Sequence, residues 1–111
     1  GYIVGGKDKK SNEELLKKHL DKEDLVFHTE MKGSPFFILK NSTDEESIFQ
    51  AALLTAFYSQ DWKKNNRDVD VSYFYGNQIY KRKDMGEGTF GVNGNRKKMV
   101  IKRETLLKFT P

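Results

Sequence analysis

Residues 68–83 read Asp-Val-Asp-Val-Ser-Tyr-Phe-Tyr-Gly-Asn-Gln-Ile-Tyr-Lys-Arg-Lys. Alternation places Val69, Val71, Tyr73 and Tyr75 on one face of an extended chain, which predicts a half-buried strand over 68–75. Gly76-Asn77 is a turn pair, so the strand is expected to fold back onto residues 78–83 as a hairpin. An apolar sheet face needs a covering layer. The preceding stretch supplies one. Residues 48–58 are apolar nearly all round, and Ala51, Ala52, Thr55, Ala56 and Ser59 line a small-residue side, which predicts a central packing helix. Ser42 or Thr43, with Glu45 or Glu46 three residues on, is the expected N-cap.

Working outward, residues 89–92, Asn93-Gly94 and residues 95–102 predict a second hairpin. Leu106, Leu107 and Phe109 in the tail suggest the first turn of a further helix. Towards the N-terminus, Tyr2-Ile3-Val4 is a short β-prone run closed by Gly5-Gly6. Ser11 with Glu14 forms a capping box, worth about 1 kcal/mol, ahead of a stripe of Leu15, Leu16, His19 and Leu20. Residues 25–30 read as a strand whose two faces carry Leu25, Phe27 and Thr29 against Val26, His28 and Glu30. Residues 32–35 turn the chain into an antiparallel strand over 36–40. The fold class expected is α+β: a mostly antiparallel sheet of five or six strands with two packed helices, in a single domain.

A chain of 111 residues fits one core; such a domain buries roughly two thirds of its unfolded surface. Without cysteine there are no disulfides or thiolate metal sites, which suits a reducing cytoplasm. No apolar run approaches the ~18 residues of a membrane span, and no signal peptide opens the chain. Gly1 stands inside an apparent strand without a methionine, so a fragment of a longer protein is expected. The net charge of +4 is unevenly spread: residues 1–60 hold 8 Lys/Arg against 10 Asp/Glu, and residues 61–111 hold 12 against 6. That asymmetry favours a polyanionic partner, because cationic side chains release the counterions of phosphates.

Two glycine motifs fail on context. Residues 1–7 have the spacing of a phosphate-binding P-loop, but Asp8 stands where a magnesium-binding hydroxyl is needed, and residues 2–4 look like strand. Gly86-Glu87-Gly88-Thr89-Phe90-Gly91 satisfies G-x-G-x-x-G but enters a predicted hairpin instead of a helix. His28 and Glu30 share a strand face and could move a proton, yet no nucleophile or metal set accompanies them, so a hydrogen-bonding role is expected and no catalytic residue is assigned. No cofactor, metal or small-molecule substrate is expected.

The basic clusters interleaved with aromatics carry more. Lys81-Arg82-Lys83 and Arg96-Lys97-Lys98 lie near the hairpin ends, where they can reach a phosphate backbone. Tyr73, Phe74, Tyr75 and Tyr80 supply rings for stacking on bases, with Tyr73 and Tyr75 the more core-like and Phe74 and Tyr80 the freer. Lys7, Lys9 and Lys10 flank the first helix, and Lys32 is expected near them. Whether these two basic zones merge is not settled by the sequence.

An ordered series in the first third of the chain adds an identity to the polyanion. Gly5-Gly6-Lys7-Asp8, Asn12-Glu13, Phe27-His28-Thr29-Glu30 and Lys32-Gly33-Ser34, followed by Ser59, Trp62 and Gly86-Glu87-Gly88-Thr89-Phe90, resemble the NFACT RNA-binding domain of archaeal and eukaryotic ribosome-quality-control factors related to nuclear export mediator factor and to fibronectin-binding protein A-like proteins. The family usually has arginine at the Lys7 position, and a longer approach with Gly-Ser-Phe where this chain has Gly88-Thr89-Phe90. The resemblance implies a non-catalytic RNA-binding module. Its parent would bind large ribosomal subunits obstructed by peptidyl-tRNA, recruit tRNA and support tailing of the stalled chain, with further domains preceding this one. The RNA-contacting set expected is Lys7, Lys9, Lys10, His28, Lys32, Lys81, Arg82, Lys83, Arg96, Lys97 and Lys98, against tRNA or rRNA. A protein-interaction module on the ribosome and a DNA-binding domain are the alternatives.

Overall fold

The computed structural model describes residues 1–6, 8–87 and 89–111. In chain order the elements are β1 (Tyr2–Gly5), α1 (Lys9–Glu14) running into a π-helical turn (Leu15–His19), β2 (Leu25–His28), β3 (Phe37–Lys40), α2 (Glu45–Phe57) and α3 (Gln60–Asn65). Then come β4 (Val69–Tyr75), a 3-10 turn (Gly76–Gln78), β5 (Ile79–Tyr80), β6 (Gly91–Val92), β7 (Lys97–Ile101) and α4 (Arg103–Lys108). A five-stranded sheet has the order β1-β3-β2-β4-β7, and β5-β6 form a separate two-stranded one. Every pairing is antiparallel, so the chain is α+β as expected.

Neither predicted hairpin forms. The strand over 69–75 is present, but its partners are β2 and β7, while β5 turns away through the 3-10 turn to pair with β6. The Gly-Asn and Asn-Gly signals mark real changes of direction, yet local turn chemistry does not fix which strands pair. β4 gains more by lying between two long strands than by closing on the two-residue β5.

The sheet buries both faces. One carries Leu25, Phe27, Leu39, Val69, Val71 and Ile101 under α2, whose Ala51, Ala52, Thr55, Ala56 and adjoining Ser59 are fully buried. These small side chains let the helix approach closely, as the sequence predicted. The other face carries Val26, Ile38 and Phe74, packed with Leu15 and Phe36 in a second apolar cluster. Phe74 is therefore 3% exposed and unavailable for stacking, whereas Tyr75 is 43% exposed, reversing the expected assignment of those two rings.

Helix starts also differ from expectation. Asp8, not Ser11, caps α1; Ser11 sits at the third helical position and closes the box by donating its hydroxyl to Asp8 and accepting the Asp8 amide. Asp44, not Ser42 or Thr43, caps α2 by accepting from the Ser47 amide at 3.0 Å. Hydrogen bonds from the Ser42 hydroxyl and then from Ser47 hold its carboxyl down at about 2. Asp outcompetes the neighbouring hydroxyls because a charged acceptor also meets the positive end of the helix dipole. His19 lies exposed and leaves the apolar stripe, while Leu15 is buried.

The short helix α3 has no apolar periodicity to announce it. Ser59 is its cap: the fully buried hydroxyl accepts from the Trp62 amide at 3.1 Å and donates to the Ala56 carbonyl at 2.7 Å. Its first residue, Gln60, donates its amide to Ser34 Oγ at 3.0 Å, tying α3 to the turn between β2 and β3. Gly33 in that turn has φ +82°, a left-handed conformation that a side chain would strain.

Candidate nucleic-acid interface

The second sheet face opens at one end into a cleft of about 700 Å³. Sheet register builds its floor: His28 lies beside Ser72, and Ser72 beside Lys98, so the three form a row across β2, β4 and β7. Side chains two apart share a face, which sets Arg96 and Lys98 on this side and turns Lys97 to the α2 side, where it borders a smaller hollow with Ile48 and Tyr73. The Arg96-Lys97-Lys98 cluster is thus divided by the pleat.

Lys9 from α1, Lys32 from the β2–β3 turn and Arg96 all line the same cleft. The two expected basic zones therefore meet there. Lys10, Lys83, Lys97 and Lys98 are exposed outside its lining, and together with Lys9 and Lys32 they make no ion pair among the described residues. Lys7 and Gly88, both in the expected set, lie outside the described residues.

The 81–83 cluster is corrected most. Lys81 Nζ is bonded to the Glu13 carboxylate and donates to the carbonyls of Gly86 at 2.7 Å and Thr89 at 2.6 Å. Its donors are used inside the protein, so it is a clamp and not a phosphate contact. Arg82 pairs with Asp84 at 3.5 Å and lies over the Tyr80 ring, 5.6 Å from its centroid. The Gly86–Gly91 segment is thereby a loop held by Lys81, and no helix follows it.

The motif residues acquire physical roles. A side chain on Gly6 would meet Asn12 Oδ1 at 2.1 Å, so glycine there lets β1 pass directly against α1. Gly5 has the same office beside Phe37. Asn12 is 7% exposed, lines the cleft, and its Oδ1 has no hydrogen-bond partner. Glu13 is buried as the partner of Lys81, and Trp62 packs against the main core.

Phe90 is the ring that sequence reasoning passed over as a stacking surface. It is half-buried and stands edge-on to Phe36 at 5.5 Å and to His28 at 5.6 Å, with Phe74 at 6.1 Å. The signal was present, since Phe90 closes the last motif block. His28 has its pKa lowered, first by burial and then by Arg96, against the opposing pull of Glu30. Its imidazole is therefore neutral at pH 7 and offers a ring and hydrogen bonds, not charge. Glu30 faces the same way as His28, as predicted, but its carboxylate is engaged with Arg96 Nη1 at 3.5 Å, and Arg96 also lies over the Phe74 ring at 5.9 Å.

The cleft wall carries Lys9, Lys32 and Arg96 against Asp8, Glu30 and Glu87. Its charges nearly balance, and the unpaired lysines lie around it. Among the described residues no group of three His, Cys, Asp or Glu side chains could hold a metal ion, and no helix is long and apolar enough to cross a membrane.

Sequence comparison matches residues 1–94 to the family described as the NFACT protein RNA binding domain. An archaeal Rqc2 homolog, aRqcH, from Methanocaldococcus jannaschii is 34% identical over 101 residues, which is 85% of this chain and 15% of that protein. The human ribosome quality control complex subunit NEMF is 27% identical over 103 residues, 85% of this chain and 9% of its own length. The chain thus spans a small part of the curated relatives it matches. Among solved structures, the C-terminal part of the fibronectin/fibrinogen-binding protein from Streptococcus suis superposes with a TM-score of 0.79 at 20% identity, covering 98% of this chain and 44% of that one, which speaks to the fold.

Proposed function

The chain belongs to the NFACT protein RNA binding domain family, and from that premise we propose that it is the RNA-binding module of a ribosome quality control factor. On this reading it is a non-catalytic cytoplasmic module that contacts tRNA or rRNA on large subunits obstructed by peptidyl-tRNA. The observation that carries it is the gathering of Lys9, Lys32 and Arg96 around one cleft, with Lys98 on the same sheet face. The family's description supports RNA as the polyanion. The names of the archaeal and human relatives support the ribosome as its setting.

Phosphate contacts make binding salt-dependent, with a slope of about 0.7 to 0.9 log units per phosphate neutralised. Affinity for tRNA, followed by fluorescence anisotropy from 50 to 200 mM salt, is expected to fall steeply. Charge reversal at Lys32 and Lys98 should flatten the slope by about 1 to 2 log units. Salt-insensitive attachment to a ribosomal protein would mark a protein-interaction module instead, and equal competition by duplex DNA would remove the preference for RNA.

A further inference from the structure

We propose that the cleft receives a single unstacked base of the bound RNA strand, and that it prefers a base carrying an exocyclic amine. The inference rests on the RNA-binding reading and adds the chemical group that the cleft takes.

The near-balance of charge in the cleft wall argues against a phosphate inside it. A phosphate there would meet Glu30 as well as Arg96, whereas the unpaired lysines around the opening meet no such opposition. The floor is aromatic: Phe90 is half-buried, braced edge-on by Phe36 and His28, and so held rigidly in place. A ring fixed in this way stacks on a base at little entropic cost, and such stacking contributes to binding of any base. The neutral imidazole of His28 extends that surface.

Selectivity comes from Asn12. Its Oδ1 is buried in the lining without a partner. A buried acceptor left unmade is costly, and a ligand that supplies a donor recovers the loss. An acceptor-rich wall of Asn12 and Glu30 complements the amine of adenine, cytosine or guanine better than the carbonyl-rich edge of uracil. A site built to hydrogen-bond one group discriminates strongly against ligands lacking it.

The test uses a twelve-nucleotide oligouridine and the same strand with one central adenosine or cytidine, titrated into the protein at fixed salt. Substituted strands are expected to bind about tenfold more tightly. Asn12→Ala should abolish the difference while leaving affinity for the uridine strand unchanged. A second measurement needs no variant: 2-aminopurine at the central position should become several-fold less accessible to acrylamide quenching on binding, and the same probe at the strand end should not. If all strands bind equally with an undiminished salt slope, and the central probe stays as accessible as the terminal one, the base site is wrong and the RNA-binding reading stands. If no strand binds, both fall.

Discussion

Lys81 Nζ is bonded to the Glu13 carboxylate across 68 residues of chain. This contact joins α1 to the loop that carries Phe90, and it occupies a lysine that charge counting would give to RNA. The Glu13 side chain is 11% exposed and has Lys17 at 3.6 Å as its other printed ion pair.

Replacing Lys81 with methionine would therefore act on stability first. It strands a mostly buried carboxylate and frees the Gly86 and Thr89 carbonyls. Charged hydrogen bonds of this kind are worth about 1.5–3 kcal/mol. Because Lys81 is partly exposed, a loss near 1.5 kcal/mol is expected in urea unfolding. The salt slope of RNA binding should stay within error. A flattened slope with unchanged stability would return Lys81 to the binding surface.

Lys40 offers a test at alkaline pH. Its ammonium is 2.5 Å from Asp24 Oδ2 and 3.1 Å from Asp21 Oδ2. Burial works against its charge, but the two carboxylates outweigh it and raise its pKa. A raised folded-state pKa gives stability that is complete below the unfolded value of about 10.4 and is lost as pH climbs through the folded one. The wild-type protein should lose stability on that alkaline limb relative to Lys40→Met. That variant, leaving Asp24 buried without its charge partner, is expected to be destabilised by about 3 kcal/mol at neutral pH. Parallel pH curves for the two proteins would contradict the assignment.

His28 makes the opposite prediction on the acid side. Its pKa is lowered by burial, so the unfolded chain takes up the proton first as pH falls below about 6.5. Its share of stability is present above that value and is lost through the folded pKa. His28→Asn should show a shallower decline between pH 7 and 5 in denaturant midpoint. An NMR titration placing the imidazole above 6.5 would refute the sign.

Thr29 tests a buried hydroxyl. It is 3% exposed, and its Oγ1 has no hydrogen-bond partner. Valine at this position removes an unsatisfied polar group in nearly the same shape. A gain of about 1 kcal/mol is expected. A loss would mean that the hydroxyl is satisfied in solution.

The elements legible in the sequence were those whose signal is local. β2, β3 and β4 follow from alternation, α2 from its apolar run and small-residue side, and the antiparallel β2–β3 connection from its glycine turn. The expected merging of Lys9 with Lys32 near α1 was also within reach, because one turn separates β2 from β3. Phe74 was misjudged for a physical reason. Alternation identifies two faces but assumes that one is wet, and here a second apolar layer from α1 and the 79–92 segment covers the other.

By itself the sequence determined the fold class, the central helix and the chemical character of the surface, since periodicity and charge are properties of the chain. Only the tertiary structure decided which strands pair, which lysines are spent within the protein and which ring stands at the cleft. Those outcomes depend on contacts between residues far apart in sequence: Lys81 with Glu13, Arg96 with Glu30, Phe90 with Phe36 and His28. Each is settled by competition among many partners for burial and charge, and no local window of sequence contains both sides of it.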